Sequence, residues 1–225
     1  GDLPAIKRKS MMKGMYKKAG VETAPGMVVK SAAAGKRFAE EVGFPLIAKP
    51  DIGVGAAQTY KFDNMEQLDV FLSTLPPVDY FLEKFIDGRM QTFDGLTDHN
   101  GDIVFFNSLE YSQGLMETVN ENTDIYYYTL RKIPADLEQA GRKTLRANDI
   151  RKGFFHFEFF RTNDVRLIGL EVNMRPPGGL TTDMFNYAND FDIYYEWANV
   201  ILHNRFSTSY SRPYHSAYIG RKSHL

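Results

Sequence analysis

The 225-residue sequence contains no cysteine. Disulfide bonds, thiolate zinc sites and a thiol nucleophile are therefore excluded. The absence of cysteine fits a reducing compartment, and we expect a cytoplasmic protein. An excess of charge of either sign is missing as well, because 27 Lys and Arg residues balance 28 Asp and Glu residues. No whole-chain field is present to hold a polyanion, so nucleic acid is not an expected partner.

Long apolar runs are also missing. No stretch of about 18 apolar residues is available to span a bilayer, and the opening GDLPAIKRKS contains no apolar core of a signal peptide. The content of 43% hydrophobic and 24% charged residues is typical of a folded protein. We expect a soluble chain without a membrane partner, long enough for one large core or for two lobes around a cleft.

The first third of the chain predicts helices separated by short β-prone runs. The runs FPLIAKP and AQTYKF suggest a hairpin whose turn is the glycine-rich stretch DIGVGA. Helix ends are indicated by N-cap residues, by a C-terminal glycine and by proline. The predicted helices are residues 5–19, ended by Gly20, residues 31–43, begun at Ser31, and residues 65–75, begun at Asp63 or Asn64 and ended by Pro76 and Pro77.

From residue 80 onward, β-prone runs alternate with turn signals such as Asp87-Gly88 and Asn100-Gly101. This pattern is typical of an antiparallel sheet. The final stretch, YHSAYIGRKSHL, reads as a strand that is cut before its continuation. The other predicted elements are strands at 80–86, 89–98, 102–110, 125–133, 153–162 and 165–175, and helices at about 135–148 and 191–203.

Together these elements predict an α+β fold of two lobes with antiparallel sheets. A lysine-bearing helix occupies residues 1–25, a small lobe residues 26–87, and a large lobe residues 88–225. The large lobe is expected to carry its helices on one side of its sheet. Clefts between lobes commonly hold ligands, so a ligand is expected where the two lobes meet.

One acid, one amide and one arginine lie two residues apart in the stretch GLEVNMRPPGG. In a strand, Glu171, Asn173 and Arg175 face the same way, while Val172 and Met174 point into the core. Carboxylate and amide oxygens are ligands that Mg²⁺ prefers, and arginine offers a cationic fork to a phosphate. The alternative is a solvent-facing ion pair between the acid and the arginine.

The preceding strand, FFHFEFF, adds a second acid. His156, Glu158 and Phe160 share one face of it, and the intervening phenylalanines share the other. Pairing the two strands as a hairpin would bring Glu158 near Glu171. Charges in such an aromatic setting need partners, which a metal and a polyphosphate would supply. The alternatives are an edge charge at Glu158 and a hydrogen-bonded structural role for His156.

Three lysines in the first 50 residues are candidate phosphate contacts, and one of them comes directly before a glycine-rich loop. The loop PDIGVGA follows Lys49 directly, and glycine lets backbone N–H groups approach an anion. The loop is neither a Walker A loop nor a strand-to-helix GxGxxG, so a plain hairpin turn is the alternative. Lys9 and Lys13, one helical turn apart, form either a second phosphate contact or a solvated face, which is the commoner arrangement.

The stretch YFLEKFIDG leads from the predicted small lobe into the large one. Apolar residues flanking Glu83 and Lys84 could form a slot for a flat ring that is read by backbone groups. The alternative is a buried strand with no ligand.

In this order the pieces resemble the ATP-grasp family of carboxylate–amine ligases, which includes biotin carboxylase and the large chain of carbamoyl-phosphate synthetase. The shared pattern begins with a lysine-bearing helix (KRKSMMKGMYKKAGVETAPG), a strand lysine before a mobile glycine loop (FPLIAKPDIGVGA) and a hinge (FLEKFIDG). It ends with an acid on one strand (FHFEFF) and Glu-x-Asn-x-Arg on the next (LEVNMRPPGG). The resemblance implies the ATP-grasp fold over nearly the whole chain, with the nucleotide held in the cleft.

The resemblance also implies a set of ligands and roles. ATP and Mg²⁺ are the implied cofactors, and Mn²⁺ could take the place of Mg²⁺. The metal would be bound by Glu158, Glu171 and Asn173, and Arg175 would steady the transferred phosphoryl group. The implied nucleotide contacts are Lys9 and the catalytic Lys49 at the phosphates, residues 52–56 with Gly53, Gly55 and Ala56 in the closing loop, and Glu83, Lys84, Phe85 and Ile86 at the adenine, read mainly by backbone atoms of Lys84 and Ile86.

The implied activity is that of an ADP-forming carbon–nitrogen ligase. Such an enzyme activates a small-molecule carboxylate as an acyl phosphate, which an amine or similar nucleophile then attacks. The family's N-terminal Rossmann-like lobe is not recognisable, so that lobe or a homodimer partner is an expected interaction partner. The alternative is an ATP-binding module or subunit of a larger synthetase-like or carboxylase-like assembly without independent activity.

One part of the family pattern is missing from this sequence. Relatives often carry an acid for the ribose shortly after the hinge, where this chain has Arg89-Met90-Gln91. Glu83 or Asp94 is expected to serve instead. Candidates for the acceptor side are His156, Arg131 and the loop within residues 108–129. The alternatives are the structural role for His156, which is the commoner one, and an ordinary surface loop.

Overall fold

The structure, a computed structural model, describes residues 7–53, 58–75, 77–112 and 123–222. These residues form six helices and 11 strands, arranged in two antiparallel sheets. The helices are α1 (Lys9–Lys18), α2 (Ala32–Val42), α3 (Met65–Ser73), α4 (Ala135–Ala147), α5 (Thr181–Asn189) and α6 (Ile193–His203). The strands are β1 (Gly26–Val28), β2 (Leu46–Pro50), β3 (Tyr60–Phe62), β4 (Tyr80–Lys84), β5 (Gly88–Thr97), β6 (Ile103–Asn107), β7 (Leu109–Tyr111), β8 (Ile125–Thr129), β9 (Gly153–Thr162), β10 (Leu167–Asn173) and β11 (Ala217–Gly220).

The smaller sheet has the strand order β1-β4-β2-β3 and packs against α2 and α3. Both helices begin as predicted, because Ser31 accepts a hydrogen bond from the N–H of Ala34 and Asn64 accepts one from the N–H of Gln67. Strands β2 and β3 form the predicted antiparallel hairpin. Strand β1 was not predicted, since three residues after Pro25 are too few to show a period.

The larger sheet has the strand order β10-β9-β5-β7-β8-β11, with β6 paired to β5 beside this path. Strand β9 covers the ten residues predicted for it and pairs with β5 along its whole length. The last strand, β11, lies within the final stretch that was predicted as a strand, and it pairs with β8, a partner that the sequence did not indicate. Helix α5 was not predicted, and its first turn has no side-chain cap that could have marked its start.

Helices cover both faces of the larger sheet, so the prediction of helices on one side is wrong. Phe155 and Phe157 pack with residues of α1 and α4, whereas Phe154 packs with residues of α5 and α6. The reason lies in β9, which carries phenylalanine on both faces and therefore needs apolar cover on both. Among the described helices, none is long and apolar enough to cross a membrane.

The two sheets are joined where β4 ends at Lys84 and β5 begins at Gly88. Helix α1 reaches both sheets, because it packs on β10 and because Arg8, just before it, bridges to Ile52 after β2. This arrangement places the ends of several strands around one space. The lobe boundaries at residues 26–87 and 88–225 stay predictions.

Candidate active site

A cleft of about 460 Å³ lies between the two sheets. A space of this size is typical of small-molecule sites. The smaller sheet contributes strand ends and the joining segment, and the larger sheet contributes the inner face of its central strands. The lining residues include Lys13, Ile47, Lys49, Glu83, Ile86, Met90, Tyr111, Tyr127, His156, Glu158, Phe160, Glu171, Arg175, Gly178 and Gly179.

The two predicted metal-binding acids lie side by side. Glu158 on β9 is directly opposite Glu171 on β10, and a bulge between Gly169 and Glu171 sets this register. The hydroxyl of Tyr16 on α1 lies 2.8 Å from the backbone carbonyl oxygens of both acids and donates to them. The predicted pairing of the two acids is therefore confirmed, and Tyr16 ties it to α1.

Asn173 completes the predicted set of oxygen donors. It lies opposite His156 in the same pair of strands, and its side chain is buried. Its Nδ2 atom is buried and has no hydrogen-bond partner in the part of the chain that the structure describes. Within the described ranges, no three His, Cys, Asp or Glu side chains converge as a metal cluster. A cation at Glu158, Glu171 and Asn173 would therefore rely on two carboxylates, an amide and oxygen atoms of its own ligand, a set that fits Mg²⁺.

Two lysines from distant parts of the chain converge on Glu171. Lys9 Nζ lies 3.6 Å and Lys49 Nζ 3.8 Å from Glu171 Oε1. Lys9 also donates a 3.0 Å hydrogen bond to the carbonyl oxygen of Gly53. Both lysines are buried, and so is Lys13. Of the two alternatives for Lys9 and Lys13, the solvated face is therefore wrong, because β10 and the residues after β2 cover that face of α1.

Glu83 on β4 links two of the lysines. Its carboxylate lies 2.8 Å from Lys13 Nζ and 2.7 Å from Lys49 Nζ. The Oε2 contact is an ion pair, since that atom has no hydrogen-bond partner of acceptable geometry. Burial acts to raise the pKa of Glu83, but Lys13 and Lys49 outweigh it and lower the pKa to about 2.

The two lysine partners differ in their electrostatic balance. Burial lowers the pKa of Lys13, and its ion pair with Glu83 does not fully offset that effect. Burial also acts to lower the pKa of Lys49, but Glu83 and Glu171 together raise it. Lys49 is thus the more firmly charged of the two. The sequence alone did not decide the role of Lys13, because its partners, Glu83 and the carbonyl oxygen of Gly169, lie far along the chain.

His156 is a hydrogen-bonded buried residue, as one of its two predicted roles required. Its Nδ1 atom lies 2.5 Å from Asp94 Oδ1 and its Nε2 atom 3.0 Å from Glu158 Oε1. Burial acts to lower the pKa of His156, but Asp94 and Glu158 raise it to about 10. Burial acts to raise the pKa of Glu158, and the hydrogen bond from His156 lowers it. Asp94, which sequence reasoning gave another role, is the anchor of this pair.

The joining segment offers fewer free backbone groups than predicted. The N–H of Lys84 donates to the carbonyl oxygen of Pro25, and that of Phe85 donates to Pro45. The Nζ atom of Lys84 donates to the carbonyl oxygens of Gly43 and Phe44. Lys84 is therefore not available through its N–H. The N–H of Ile86 has no acceptor among the residues that the structure describes.

Neither acid expected at the ribose is free for it. Glu83 is held by two lysines, and Asp94 is fully buried with its oxygens bonded to His156 and Thr92. Both side chains are already engaged, so both expectations fail on geometry.

Other predicted residues lie at the margin of the cleft or outside it. Arg175 lies beyond the end of β10, is exposed, lines the cleft and donates to the carbonyl oxygen of Pro176. Arg131 is exposed and bonds the carbonyl oxygen of Arg212 instead of lining the cleft, so its expected acceptor role is not supported. Gly55, Ala56 and residues 113–122 of the expected acceptor loop lie outside the described residues.

Two models of known protein families match this chain. Residues 8–122 match the family model described as carbamoyl-phosphate synthase L chain, ATP binding domain, and residues 73–183 match the model described as ATP-grasp domain. The chain therefore belongs to the ATP-grasp family. The α+β fold with antiparallel sheets predicted from the sequence is confirmed.

Known proteins and solved structures resemble this ATP-grasp chain over nearly its whole length. The L-arginine-specific L-amino acid ligase of Bacillus subtilis is 23% identical over 87% of this chain and 49% of its own. N5-carboxyaminoimidazole synthetase from Staphylococcus aureus complexed with ADP superposes with a TM-score of 0.80, at 17% identity over 95% of this chain and 56% of its own. The biotin carboxylase domain of Hydrogenobacter thermophilus 2-oxoglutarate carboxylase, in complex with MgADP, ADP and bicarbonate, superposes with a TM-score of 0.78, at 20% identity over 95% of this chain and 50% of its own. The chain spans about half the length of these relatives.

Proposed function

We propose that this ATP-grasp chain binds ATP with Mg²⁺ in the cleft and transfers the γ-phosphoryl group to a small-molecule carboxylate. One observation carries the proposal: the buried lysines Lys9 and Lys49 converge on the carboxylate of Glu171, directly beside Glu158. Carboxylate oxygens are ligands for a cation and ammonium groups bind phosphate oxygens, so the two kinds of side chain together suit a metal-bound polyphosphate.

The lysines have a defined part in this proposal. Lys49 is charged and buried, so its ammonium would exchange contacts with Glu83 and Glu171 for phosphate oxygens of ATP. Lys9 contacts the carbonyl oxygen of Gly53, at the start of the glycine loop, and would hold that loop near the same phosphates. Arg175, at the mouth of the cleft, would contact the transferred group.

The adenine is proposed to lie against the joining segment. The N–H of Ile86, which has no acceptor among the described residues, is the donor that a ring nitrogen needs, and Ile47, Met90 and Phe160 supply apolar walls. Glu83 would act here by neutralising the lysines, not by contacting the base.

The metal is proposed to bind Glu158, Glu171 and Asn173. Mg²⁺ held there would neutralise charge on the phosphate oxygens of ATP. The complex of a related domain with MgADP supports this choice of metal. Nothing comparable supports Mn²⁺.

The proposed reaction has two steps. A carboxylate oxygen of the substrate attacks the γ-phosphorus of ATP, and the bond from phosphorus to the bridging oxygen breaks to release ADP. An amine then attacks the acyl carbon of the acyl phosphate, phosphate leaves, and the amine nitrogen loses a proton. The similarity to an L-amino acid ligase supports small carboxylates and amines as the substrate classes.

The proposal is tested by calorimetry of ATP binding with and without Mg²⁺. The wild-type chain is compared with Glu171→Gln, which keeps the shape of the side chain, and with Glu22→Gln as a control, since Glu22 lies in an exposed ion pair with Arg166. We expect Mg²⁺-dependent binding in the wild type and the control, and its loss in Glu171→Gln. Wild-type binding that is indifferent to Mg²⁺ would overturn the proposed metal site.

A second measurement separates a ligase from a binding module. ADP release is followed in the same samples with pooled small carboxylates, with and without amines. ADP release that depends on an added carboxylate supports the proposed ligase activity. Tight ATP binding with no release would favour a nucleotide-binding module of a larger assembly, a reading that the coverage of about half of each relative also allows.

A further inference from the structure

A chain of buried polar side chains runs behind Glu158 on the cleft face of the larger sheet. Thr92 Oγ1 lies 2.5 Å from Asp94 Oδ2, and the other oxygen of Asp94 lies 2.5 Å from His156 Nδ1. The other ring nitrogen of His156 lies 3.0 Å from Glu158 Oε1. All four residues are buried, so this chain of contacts is fixed by packing.

The proposed role of Glu158 as a metal ligand does not depend on this series of side-chain contacts. These contacts make the two carboxylate oxygens of Glu158 differ in their hydrogen bonding. Oε1 contacts the imidazole of His156, whereas Oε2 has no hydrogen bond to the described residues. An oxygen that accepts a hydrogen bond is fixed in direction and has one lone pair fewer for a metal, so the other oxygen of the carboxylate is the better ligand for a cation.

We propose that His156 is a positioning residue that fixes Glu158 as a one-oxygen ligand for the cation. The inference rests on the proposed function, because it assigns a geometry to one ligand of the proposed metal site. Asp94 holds the ring from behind, and Thr92 in turn holds Asp94. The ring cannot rotate without breaking a buried contact on each side.

A fixed one-oxygen ligand favours Mg²⁺ over Ca²⁺. Mg²⁺ requires near-octahedral geometry with short bonds, whereas Ca²⁺ accepts more oxygens and often takes both oxygens of one carboxylate. Releasing Glu158 from His156 would let it turn and bind with both oxygens. The site would then bind Mg²⁺ less tightly and discriminate less against Ca²⁺.

Two substitutions of His156 separate positioning from charge. In His156→Gln the amide nitrogen lies near the position of Nε2 and can still donate to Glu158. In His156→Asn it lies near the position of Nδ1 and can donate only to Asp94. Both variants remove the same ring and the same charge, so only the direction of the remaining donor differs.

The experiment measures the apparent affinity for Mg²⁺ and for Ca²⁺ by calorimetry at saturating ATP, with ATP binding in chelator as a control. We expect His156→Asn to lower the Mg²⁺ affinity by about tenfold or more and to narrow the preference for Mg²⁺ over Ca²⁺. His156→Gln should stay close to the wild type. ATP binding in chelator should be the same in both variants.

The outcomes separate this inference from the proposed function. Equal losses in the two His156 variants would overturn positioning and assign the effect to charge, and no loss in either would also overturn it. Should either variant not fold, Asp94→Ala, which removes the acceptor behind the ring, replaces it, and an unchanged Mg²⁺ affinity in Asp94→Ala would contradict the inference. A wild-type chain that binds ATP without regard to Mg²⁺ would instead remove the proposed function.

Discussion

Lys13 Nζ on α1 lies 2.8 Å from Oε2 of Glu83 on β4, and both side chains are buried. The pair connects α1 to β4, an inner strand of the smaller sheet, next to the segment that joins the two sheets. Lys49 contacts the other oxygen of Glu83 at 2.7 Å. The carboxylate therefore holds two ammonium groups in the floor of the cleft before any nucleotide binds.

Replacing Glu83 should destabilise the fold more than replacing either lysine. Glu83→Gln leaves two buried ammonium groups without their shared partner, and the loss of one partner from a buried pair costs about 3–5 kcal/mol. Lys13→Met leaves Glu83 still paired with Lys49 and should cost less. Urea unfolding of the two variants and the wild type measures the difference. A smaller loss for Glu83→Gln than for Lys13→Met would contradict this account.

The same carboxylate should make stability depend on pH in the acid range. The folded-state pKa of Glu83 is about 2, against 4.5 for the free side chain. The unfolded chain therefore binds a proton first as the pH falls, and the contribution of Glu83 is complete above about pH 5 and disappears as the pH approaches 2. It should fall from about 3 kcal/mol near pH 7 to about 1 kcal/mol near pH 3.

Urea unfolding at both pH values checks this dependence. Other carboxylates also titrate in this range, so the wild type alone does not isolate Glu83. The difference in unfolding free energy between wild type and Glu83→Gln should shrink on acidification. A difference that stays constant between pH 7 and pH 3 would show that Glu83 is not the group responsible.

Replacing Lys49 should weaken nucleotide binding with little loss of stability. Lys49→Met leaves Glu83 paired with Lys13 and Glu171 near Lys9, so no buried carboxylate loses its last partner. We expect at least a tenfold weaker ATP affinity, or about 1.4 kcal/mol. Lys36→Met is the matched control, because Lys36 pairs with Asp69 at the surface. Equal ATP affinities in the two variants, measured by calorimetry, would remove Lys49 from the site.

Local patterns predicted much of the larger sheet and its acids. The β-prone run GFFHFEFFRT gave the whole of β9, and the two-residue period in β10 placed Glu171 and Asn173 on one face. The pairing of Glu158 with Glu171 followed from the short connection between these strands. These features depend on neighbours in the sequence, which is why a single sequence can reveal them.

The positions of the buried lysines and of His156 depend on contacts with residues that are distant in the sequence. Lys13 meets Glu83 across 70 positions of sequence, and Asp94 meets His156 across 62. No period in α1 indicates that Lys13 is buried, because lysines on a helix are usually solvated and the covering strand lies far along the chain. The partners of a buried charge are set by tertiary packing, so sequence reasoning could require a partner for His156 but could not name it.

Tyr16 should couple the packing of α1 to the metal site, and Gly169 gives a way to test this. An added Cβ at Gly169 would lie 2.6 Å from the ring of Tyr16, whose hydroxyl holds the backbone of Glu158 and Glu171. Gly169→Ala should therefore cost about 1–3 kcal/mol and weaken Mg²⁺-dependent ATP binding. Gly14→Ala is the control, because Gly14 faces open space within α1 and alanine there should stabilise the helix by about 1 kcal/mol. Urea unfolding measures the stability of both variants, and calorimetry measures their Mg²⁺-dependent ATP binding. A Gly169→Ala variant that binds Mg²⁺ and ATP as the wild type does would show that Tyr16 does not set the spacing of Glu158 and Glu171.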